Sequence, residues 1–389
     1  MDSPPVETAR FVGKRWLLAE IAFRNTCLEL VTLGFYRFWA KTRLRQYFWG
    51  NLLLAGEPLE YSGTATELLK GFFVALVALM GLSAVQSVVI EFVPASEKTA
   101  SVLYNVVLLA LIQVALYRMW RYRLTRTSWR GVRFGLDGST WTYVKRATGW
   151  WLVTIITVGL AYPWARMALM RYRITHMRFG DRNFSFTGEG EALFARWMVF
   201  YLLAGVMVGG TVAVSVDLET VLKIVNVSPL EREPEVILRQ IILPVLSSIA
   251  AVLVVAYGLF VWYRAGELRY ALSNVEFGSA RFTSALRPWT IVGNTLCGVV
   301  PIVLALSILG GGIALADNHI TLWVVLAVLV WVLVGRVVSI AIVQFAIVRH
   351  AAATLSVSEP DAFAVAAQTA GPRPRYGEGL ADALDVGAF

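Results

Sequence analysis

The stretch RYRITHMRFGDRNFSF, from Arg171 to Phe186, contains the pattern that decides the fold. It begins with Arg-Tyr, has a glycine eight or nine residues after the tyrosine, and continues to a phenylalanine. Residues that favour β-strands flank the Gly-Asp pair, which predicts a β-hairpin. The pattern occurs five times, each time after a hydrophobic segment, and such a repeat predicts a protein built from duplicated units. The other copies are Arg121–Phe134, Arg269–Phe282, a looser Gln46–Leu59 and a decayed Arg349–Phe363.

The composition predicts a membrane protein. Of the 389 residues, 57% are hydrophobic and 16% are charged, whereas a soluble domain carries about 25% charged residues. The formal net charge is +9, and the basic residues flank the apolar segments, as they do on the cytoplasmic side of membrane helices. We therefore expect membrane lipids with anionic headgroups as partners, and no nucleic acid.

Hydropathy predicts six transmembrane helices. A span needs about 20 apolar residues, and two further segments, 26–39 and 147–164, are shorter and have basic residues at both ends. If these two short segments re-enter or lie in the interface, every copy of the Arg-Tyr motif and both termini are cytoplasmic. Eight simple spans would instead place the motif on both sides of the membrane. The six predicted spans are roughly 69–93, 101–119, 193–216, 237–263, 289–316 and 320–348.

The fold class predicted from these patterns is an all-α polytopic membrane protein. It has six transmembrane helices, two short re-entrant or interfacial helices, and short cytoplasmic β-hairpins after the helices. Because open sheet edges are not tolerated in lipid, the hairpins should lie in water or in the headgroup zone. Thr64 followed by Glu67 fits a capping box, which predicts a helix beginning next to Thr64.

The two short segments match each other. TLGFYRFWAK begins at Thr32 and TVGLAYPWAR begins at Thr157, an offset of 125 residues. This offset predicts one repeat unit over 1–134, a second over 135–282 and a shortened third over 283–363, followed by a flexible cytoplasmic tail over 364–389. The residues predicted to be structural in the repeat are Gly34, Trp39, Gly63, Gly159, Trp164 and Gly188.

Two long stretches of the chain, Thr32–Phe72 and Thr157–Phe194, resemble the YjgN-like family (domain of unknown function 898). Both contain the pattern TLG or TVG, then Trp-Ala-Lys or Trp-Ala-Arg, and later a glycine that precedes the next helix. The resemblance covers roughly residues 10–363 and implies a multi-spanning protein of the bacterial inner (cytoplasmic) membrane. It implies no activity. The last unit departs from the pattern because its motif copy has lost the clear turn glycine.

Arg336 is a charged residue inside the apolar stretch TLWVVLAVLVWVLVGRVVSIAIVQFAIV. A charge near the bilayer centre costs about 2.5–3.5 kcal/mol on insertion scales, so it normally faces the bundle interior or a water-filled cavity. One interpretation is an intramembrane contact for an anion or a headgroup. The other is a long helix from which Arg336 snorkels to the interface. No acidic residue lies at helical spacing, so a partner must come from another helix.

Arg37, Lys41 and Arg45 recur every four residues and therefore share one face of a helix. Aromatic residues surround them, and a basic aromatic helix suits the anionic cytoplasmic surface. These residues are candidate headgroup contacts, and the alternative is a topology determinant that anchors the helix in the interface. The second unit provides three further candidates, Arg166, Arg171 and Arg173.

Catalytic signatures are missing from the sequence. It contains no GxxxxGK[ST], no GxSxG and no HExxH motif, and its three histidines and two cysteines have no metal-ligand spacing. We therefore expect no enzyme, no cofactor and no metal site.

Three functions stay open. The favoured one is binding or handling of lipid or a small anionic molecule at the cytoplasmic side, which predicts a lateral opening beside Lys41 and Arg166. A transporter or channel predicts a hydrated path that reaches Arg336. A non-enzymatic scaffold that docks a cytoplasmic protein predicts neither feature.

Overall fold

Eleven α-helices make up most of the described chain. The computed structural model describes residues 6–93, 97–215, 243–299 and 320–367. A π-helical segment, Ser339–Gln344, joins the last two helices. In chain order the helices are α1 Arg15–Val31, α2 Arg37–Gly50, α3 Ala65–Phe92, α4 Glu97–Thr125, α5 Thr140–Ile156, α6 Tyr162–Thr175, α7 Glu191–Ser215, α8 Leu243–Ser273, α9 over 288–299, α10 Ile320–Val338 and α11 Phe345–Thr354.

Short antiparallel strands follow the helices and form two sheets in the described residues. One sheet has the order β2-β3-β4-β5-β6-β7-β8 and the other β1-β12-β11-β10-β9. The strands are β1 Val6–Thr8, β2 Arg10–Phe11, β3 Leu52–Leu54, β4 Glu57–Tyr61, β5 Thr127–Trp129, β6 Val132–Leu136, β7 Met177–Phe179, β8 Arg182–Asn183, β9 Ser185–Phe186, β10 Val275–Phe277, β11 Ala280–Ser284 and β12 Leu355–Ser358.

Four copies of the Arg-Tyr motif form β-hairpins, as the turn glycines predict. At Ala55-Gly56 and at Arg130-Gly131 both central residues have positive φ, between 47° and 77°, which is the requirement of a tight hairpin turn. The decayed copy, Arg349–Phe363, instead completes α11 and then forms only β12 and a 3₁₀ turn at Pro360–Phe363. The loss of its turn glycine explains why it forms one strand rather than two.

The two sheets share one aromatic core. The chain passes from one sheet to the other at Ala9, between β1 and β2, and at Phe184, between β8 and β9. Both residues are buried. Phe363 of the C-terminal 3₁₀ turn packs against strands of both sheets, with its ring centroid 5.2 Å from that of Trp129 and 4.4 Å from that of Phe277. The hairpins are therefore held together by side chains from distant parts of the sequence.

The prediction of an all-α protein with six transmembrane helices is wrong. The hairpins combine into two antiparallel sheets, because the free edge of one hairpin pairs with the next: β4 pairs with β5, and β6 with β7. In the described part of the chain, three helices are long and apolar enough to cross a membrane. The count in these residues is therefore three rather than six, and the predicted spans 237–263 and 289–316 lie partly outside them. The three are α3 Ala65–Phe92, α4 Glu97–Thr125 and the continuous stretch Val328–Thr354, which runs from α10 through the π-helical segment into α11.

Each of the two short apolar segments contains a turn between two helices, not a single short helix. α1 and α2 have 17 and 14 residues, and so do α5 and α6. We call these pairs the first and second helical hairpins. Their tips are apolar and exposed, with Leu33 91% and Ile156 79% exposed.

Some predictions lie wholly or partly outside the described residues. The tail over 364–389 is described only as far as residue 367, and the segment over 289–316 only as far as residue 299. The capping box is confirmed: Thr64 and Glu67 cap α3, which begins at Ala65.

Candidate functional site

The first helical hairpin turns within five residues because Thr32 caps both of its helices. The Thr32 hydroxyl donates to the Leu28 carbonyl at 2.7 Å and accepts from the Tyr36 amide at 3.0 Å. Gly34 has a φ of +88°, a left-handed conformation that glycine adopts without strain. This reversal brings the end of α1, with Glu29, beside the start of α2, with Arg37.

The largest cavity next to these residues has a volume of about 780 Å³, and we call it the Arg336 cavity. It lies between the first hairpin, the C-terminal end of α4, the end of α10 and the sheet with β3, β4 and β6. Its lining includes one carboxylate, from Glu29, and five cationic side chains. The cations are Arg37, Lys41, Arg45, Arg123 and Arg336.

Part of the wall of this cavity is apolar. Strands and helix ends supply large aliphatic and aromatic side chains to it, so charged and apolar surfaces face one space. These side chains include Leu52, Leu54, Leu59, Leu124, Phe134 and Met177. The arrangement suits a molecule that has both an anionic group and an apolar part.

Arg336 has a partner that the sequence did not reveal. Its Nη2 donates to both carboxylate oxygens of Glu29, at 2.9 and 2.8 Å. Glu29 is 307 residues away in sequence, so helical spacing could not identify it. One signal was available: Glu29 is the only acidic residue in the short apolar segment 26–39.

The basic residues of α2 lie in different surroundings within the Arg336 cavity. The Arg37 guanidinium lies over the rings of Phe38 and Phe72, at 4.9 and 4.6 Å from their centroids. The Arg45 guanidinium donates to the Tyr61 hydroxyl at 3.2 Å. The structure thus brings together four residues singled out from sequence, Arg37, Lys41, Arg45 and Arg336. Their role as ligand contacts stays a prediction.

A second cavity of about 350 Å³ lies between α4, the second helical hairpin and α8; we call it the Arg173 cavity. Arg166, Arg173 and Arg264 line it, together with aromatic side chains such as Trp120 and Tyr143. Glu267 is completely buried beside it. Its Oε1 accepts from Arg166 Nε at 2.9 Å and lies 2.6 Å from Arg264 Nη1. Sequence patterns did not single out Glu267 as the partner of Arg166, because that ion pair forms only when α6 packs against α8. Arg264 and Glu267 are three residues apart on α8, and this spacing was the one signal that the sequence offered.

Arg171 lines neither cavity. Its side chain is exposed and its Nη2 donates to the Gly188 carbonyl at 2.9 Å, which ties α6 to the turn before α7. Gly188 is itself required by packing, since a Cβ there would lie 2.6 Å from the Phe186 ring.

The remaining motif residues also lie in turns or packing contacts. Gly159 has a φ of +89° in the tip of the second hairpin, and Gly63 lies under the Tyr61 ring. Trp39 stacks on Tyr36, and Trp164 packs on Phe194. In the described residues, no group of three or more His, Cys, Asp or Glu side chains could hold a metal ion.

Comparison with known proteins identifies the family. A family described as "Bacterial protein of unknown function (DUF898)" matches residues 7–383. The chain belongs to this family. A curated relative, inner membrane protein YjgN of Salmonella typhimurium (strain LT2), is 28% identical over 154 residues. The match covers 39% of this chain and 35% of the relative, so the chain spans about a third of the length of that relative. No solved structure matches the chain.

Membership in the DUF898 family confirms the resemblance to YjgN-like proteins that the repeated motif indicated. The family description assigns no activity, so any function must be argued from the two cavities.

Proposed function

We propose that this DUF898 protein is a multi-pass inner-membrane protein that binds lipid or a small anionic molecule in the Arg336 cavity, at the cytoplasmic side of the membrane. The observation that carries the proposal is the composition of this cavity, in which five cationic side chains and one carboxylate face an apolar wall. The proposed function is non-enzymatic. Both termini are proposed to be cytoplasmic, on the side of the Arg-Tyr motif copies and their hairpins.

Charge and shape favour an amphipathic anion. Arginine and lysine bind phosphate and carboxylate groups through charge-assisted hydrogen bonds, and five such side chains line this cavity beside one carboxylate. A volume of about 780 Å³ is within the range of small-molecule sites. The apolar wall formed by side chains such as Leu52 and Phe134 would hold part of an acyl chain.

The Arg336–Glu29 pair gives the cavity a built-in anion. The Glu29 carboxylate neutralises Arg336 while no ligand is bound, which lowers the cost of a charge within a predicted span. A ligand phosphate would share Arg336 with Glu29 and would also contact Lys41 and Arg37. Glu29 thereby limits how tightly an anion is held.

A duplication of one repeat unit would explain why the chain has two similar helical hairpins. We propose that residues 1–134 and 135–282 are repeat units, each with one hairpin, and that 283–363 is a shortened third unit. The equal helix lengths and the matching turn conformations of the two hairpins support the division.

The test is native mass spectrometry of the full chain in phosphatidylcholine nanodiscs that contain a minor fraction of phosphatidylglycerol. Wild type should retain phosphatidylglycerol. Lys41→Gln should retain less, because it removes a cavity cation but leaves the Arg336–Glu29 pair intact. Arg336→Leu should also retain less. Arg43→Gln is the matched control, since Arg43 is on α2 but is exposed and does not line the cavity.

Equal retention by Lys41→Gln, Arg336→Leu and Arg43→Gln would contradict the proposal. A general loss of retention in all three would show an unspecific effect of net charge instead of a site.

The π-helical segment favours a second candidate, a transporter or channel with a path near Arg336. Ser339 and Gln344 of this segment line the same cavity as Arg336, and π-helical turns within helices are frequent at functional sites. Flux of a labelled anionic lipid across proteoliposomes, lost in Arg336→Leu, would support it. Binding without flux would favour the first candidate. The scaffold hypothesis predicted neither a lateral opening beside Lys41 and Arg166 nor a hydrated path to Arg336, and it stays a prediction.

A further inference from the structure

The Arg173 cavity has more positive charge than its surroundings neutralise. Arg166 and Arg264 share the single carboxylate of Glu267. Arg173 makes no hydrogen bond or ion pair with any described residue, and its Nε is buried without an acceptor. Burial lowers the pKa of the Arg173 guanidinium. Arg173 is half-buried, with its Nε enclosed and the rest of the guanidinium facing the cavity. Because arginine stays charged at neutral pH, a partly desolvated guanidinium with no ion-pair partner is stabilised by an anion that enters the cavity.

The walls of the Arg173 cavity suit a compact anion. The Arg173 guanidinium lies over Trp120, 4.9 Å from the ring centroid, which fixes the plane of the group. The cavity volume of about 350 Å³ is less than half that of the Arg336 cavity. Guanidinium groups held in one plane bind phosphate through two parallel hydrogen bonds.

The two cavities occupy corresponding places on the two helical hairpins. Several residues that line the Arg336 cavity have a counterpart 125 residues later that lines the Arg173 cavity. Three such pairs are Arg37 and Tyr162, Lys41 and Arg166, and Phe48 and Arg173. In each cavity an ion pair joins the helical hairpin to a later helix. The hairpin supplies the acidic residue in the first cavity and the basic residue in the second. Glu29 of the first hairpin pairs with Arg336, and Arg166 of the second pairs with Glu267.

We infer that the Arg173 cavity is a second anion site, which binds a phosphate group of a lipid headgroup or of free phosphate. Arg173 makes the bidentate contact, and Arg166 and Arg264 contribute charge. The inference rests on a different cavity from the proposed function, so either can fail without the other.

The experiment has two arms that separate the two sources of phosphate. In the first, the full chain in phosphatidylcholine nanodiscs is titrated calorimetrically with inorganic phosphate. In the second, nanodiscs with a small fraction of phosphatidic acid, in a buffer free of inorganic phosphate, are examined by native mass spectrometry. Both arms compare wild type with Arg173→Gln and Arg173→Lys. Arg146→Gln is the matched control, because Arg146 is exposed and its guanidinium also lies 4.9 Å from a ring centroid, that of Tyr172.

Arg173→Gln should weaken phosphate binding by about 10- to 100-fold, the loss expected for a hydrogen-bonded charge contact. Arg173→Lys keeps the positive charge but loses the planar guanidinium that makes two parallel hydrogen bonds, so it should also bind phosphate more weakly than wild type. Arg146→Gln should bind like wild type. If Arg173→Gln does not fold, Arg173→Lys still tests the inference.

Each outcome decides the inference. Binding of inorganic phosphate identifies a site for free phosphate, and retention of phosphatidic acid alone identifies a headgroup site. No binding in either arm, or binding that neither Arg173 variant weakens, would overturn the inference. Retention of phosphatidylglycerol that depends on Lys41 but not on Arg173 would leave the proposed function intact.

Discussion

Replacing Glu267 with glutamine should destabilise the protein strongly. The side chain is fully buried, and its Oε1 lies 2.9 Å from Arg166 and 2.6 Å from Arg264. Glutamine has almost the same shape but no charge. It leaves two guanidinium groups close together, with Arg173 nearby and no anion between them.

The size of the effect follows from these distances. With an effective dielectric constant of 20, a unit charge pair at 2.9 Å is worth about 6 kcal/mol before the cost of desolvation. Breaking a buried ion pair by removing one partner typically costs about 3–5 kcal/mol. We expect a loss in this range, which is at least about two powers of ten in the ratio of folded to unfolded protein.

The assay is the free energy of unfolding in mixed micelles, measured by denaturant titration. Glu276→Gln is the matched control, because Glu276 pairs with Arg281 at 3.1 Å but Arg281 is 71% exposed. An exposed pair contributes only about 0–1 kcal/mol. A loss for Glu267→Gln no larger than for Glu276→Gln would refute the electrostatic argument. Added phosphate should restore part of the lost stability if the second anion site exists.

Three further substitutions, one with a matched control, test the fold. Phe363→Ala should cost about 3–5 kcal/mol of unfolding free energy, since it empties the aromatic core between the sheets; a loss below about 1 kcal/mol would contradict that role. Tyr47→Phe should cost about 1–3 kcal/mol, because the hydroxyl donates to the Lys14 carbonyl at 2.7 Å and accepts from the Lys14 amide at 2.6 Å. Its control, Tyr36→Phe, should cost little, since that buried hydroxyl has no hydrogen-bond partner among the described residues. Burial raises the pKa of Tyr47. The Tyr47 hydroxyl therefore contributes fully to the free energy of unfolding below about pH 10, and this contribution declines at higher pH. The difference in unfolding free energy between wild type and Tyr47→Phe should accordingly become smaller in alkaline solution. Gly34→Ala should cost about 1–2 kcal/mol, because its φ of +88° is unfavourable for a residue with a Cβ; thermal unfolding of the variant measures this.

Local chemistry made the hairpins predictable. A tight turn needs residues that tolerate positive φ, and the glycines of the motif, such as Gly131 and Gly56, identified four turns that the structure contains. The capping box at Thr64 was predictable for the same reason, since its partners are three residues apart. Interactions within one turn or one cap depend on neighbours in sequence, so a single sequence is enough to identify them.

The assembly of the hairpins into sheets was not predictable from the same motif. Strand edges pair with whichever edge the fold brings near, and β12 pairs with both β1 and β11 although these are far apart in sequence. The two short apolar segments were predicted to re-enter the membrane or to lie in the interface, and the threonine-capped turn inside each was not identified. A single threonine, Thr32 or Thr157, lowers the mean hydropathy of its segment only slightly, so a hydropathy profile does not show the turn.

The sequence by itself determined the membrane class, the family, the hairpin turns and the basic face of α2, because these depend on composition and on residues that are close along the chain. Only the tertiary structure showed that Arg37, Lys41, Arg45 and Arg336 line one cavity. It also supplied Glu29 as the partner of Arg336, and it placed Arg173 in a cavity where no described side chain neutralises it. Ion pairs and cavities form between helices that are distant in sequence, and their energy depends on distance and burial, which exist only once the chain has packed.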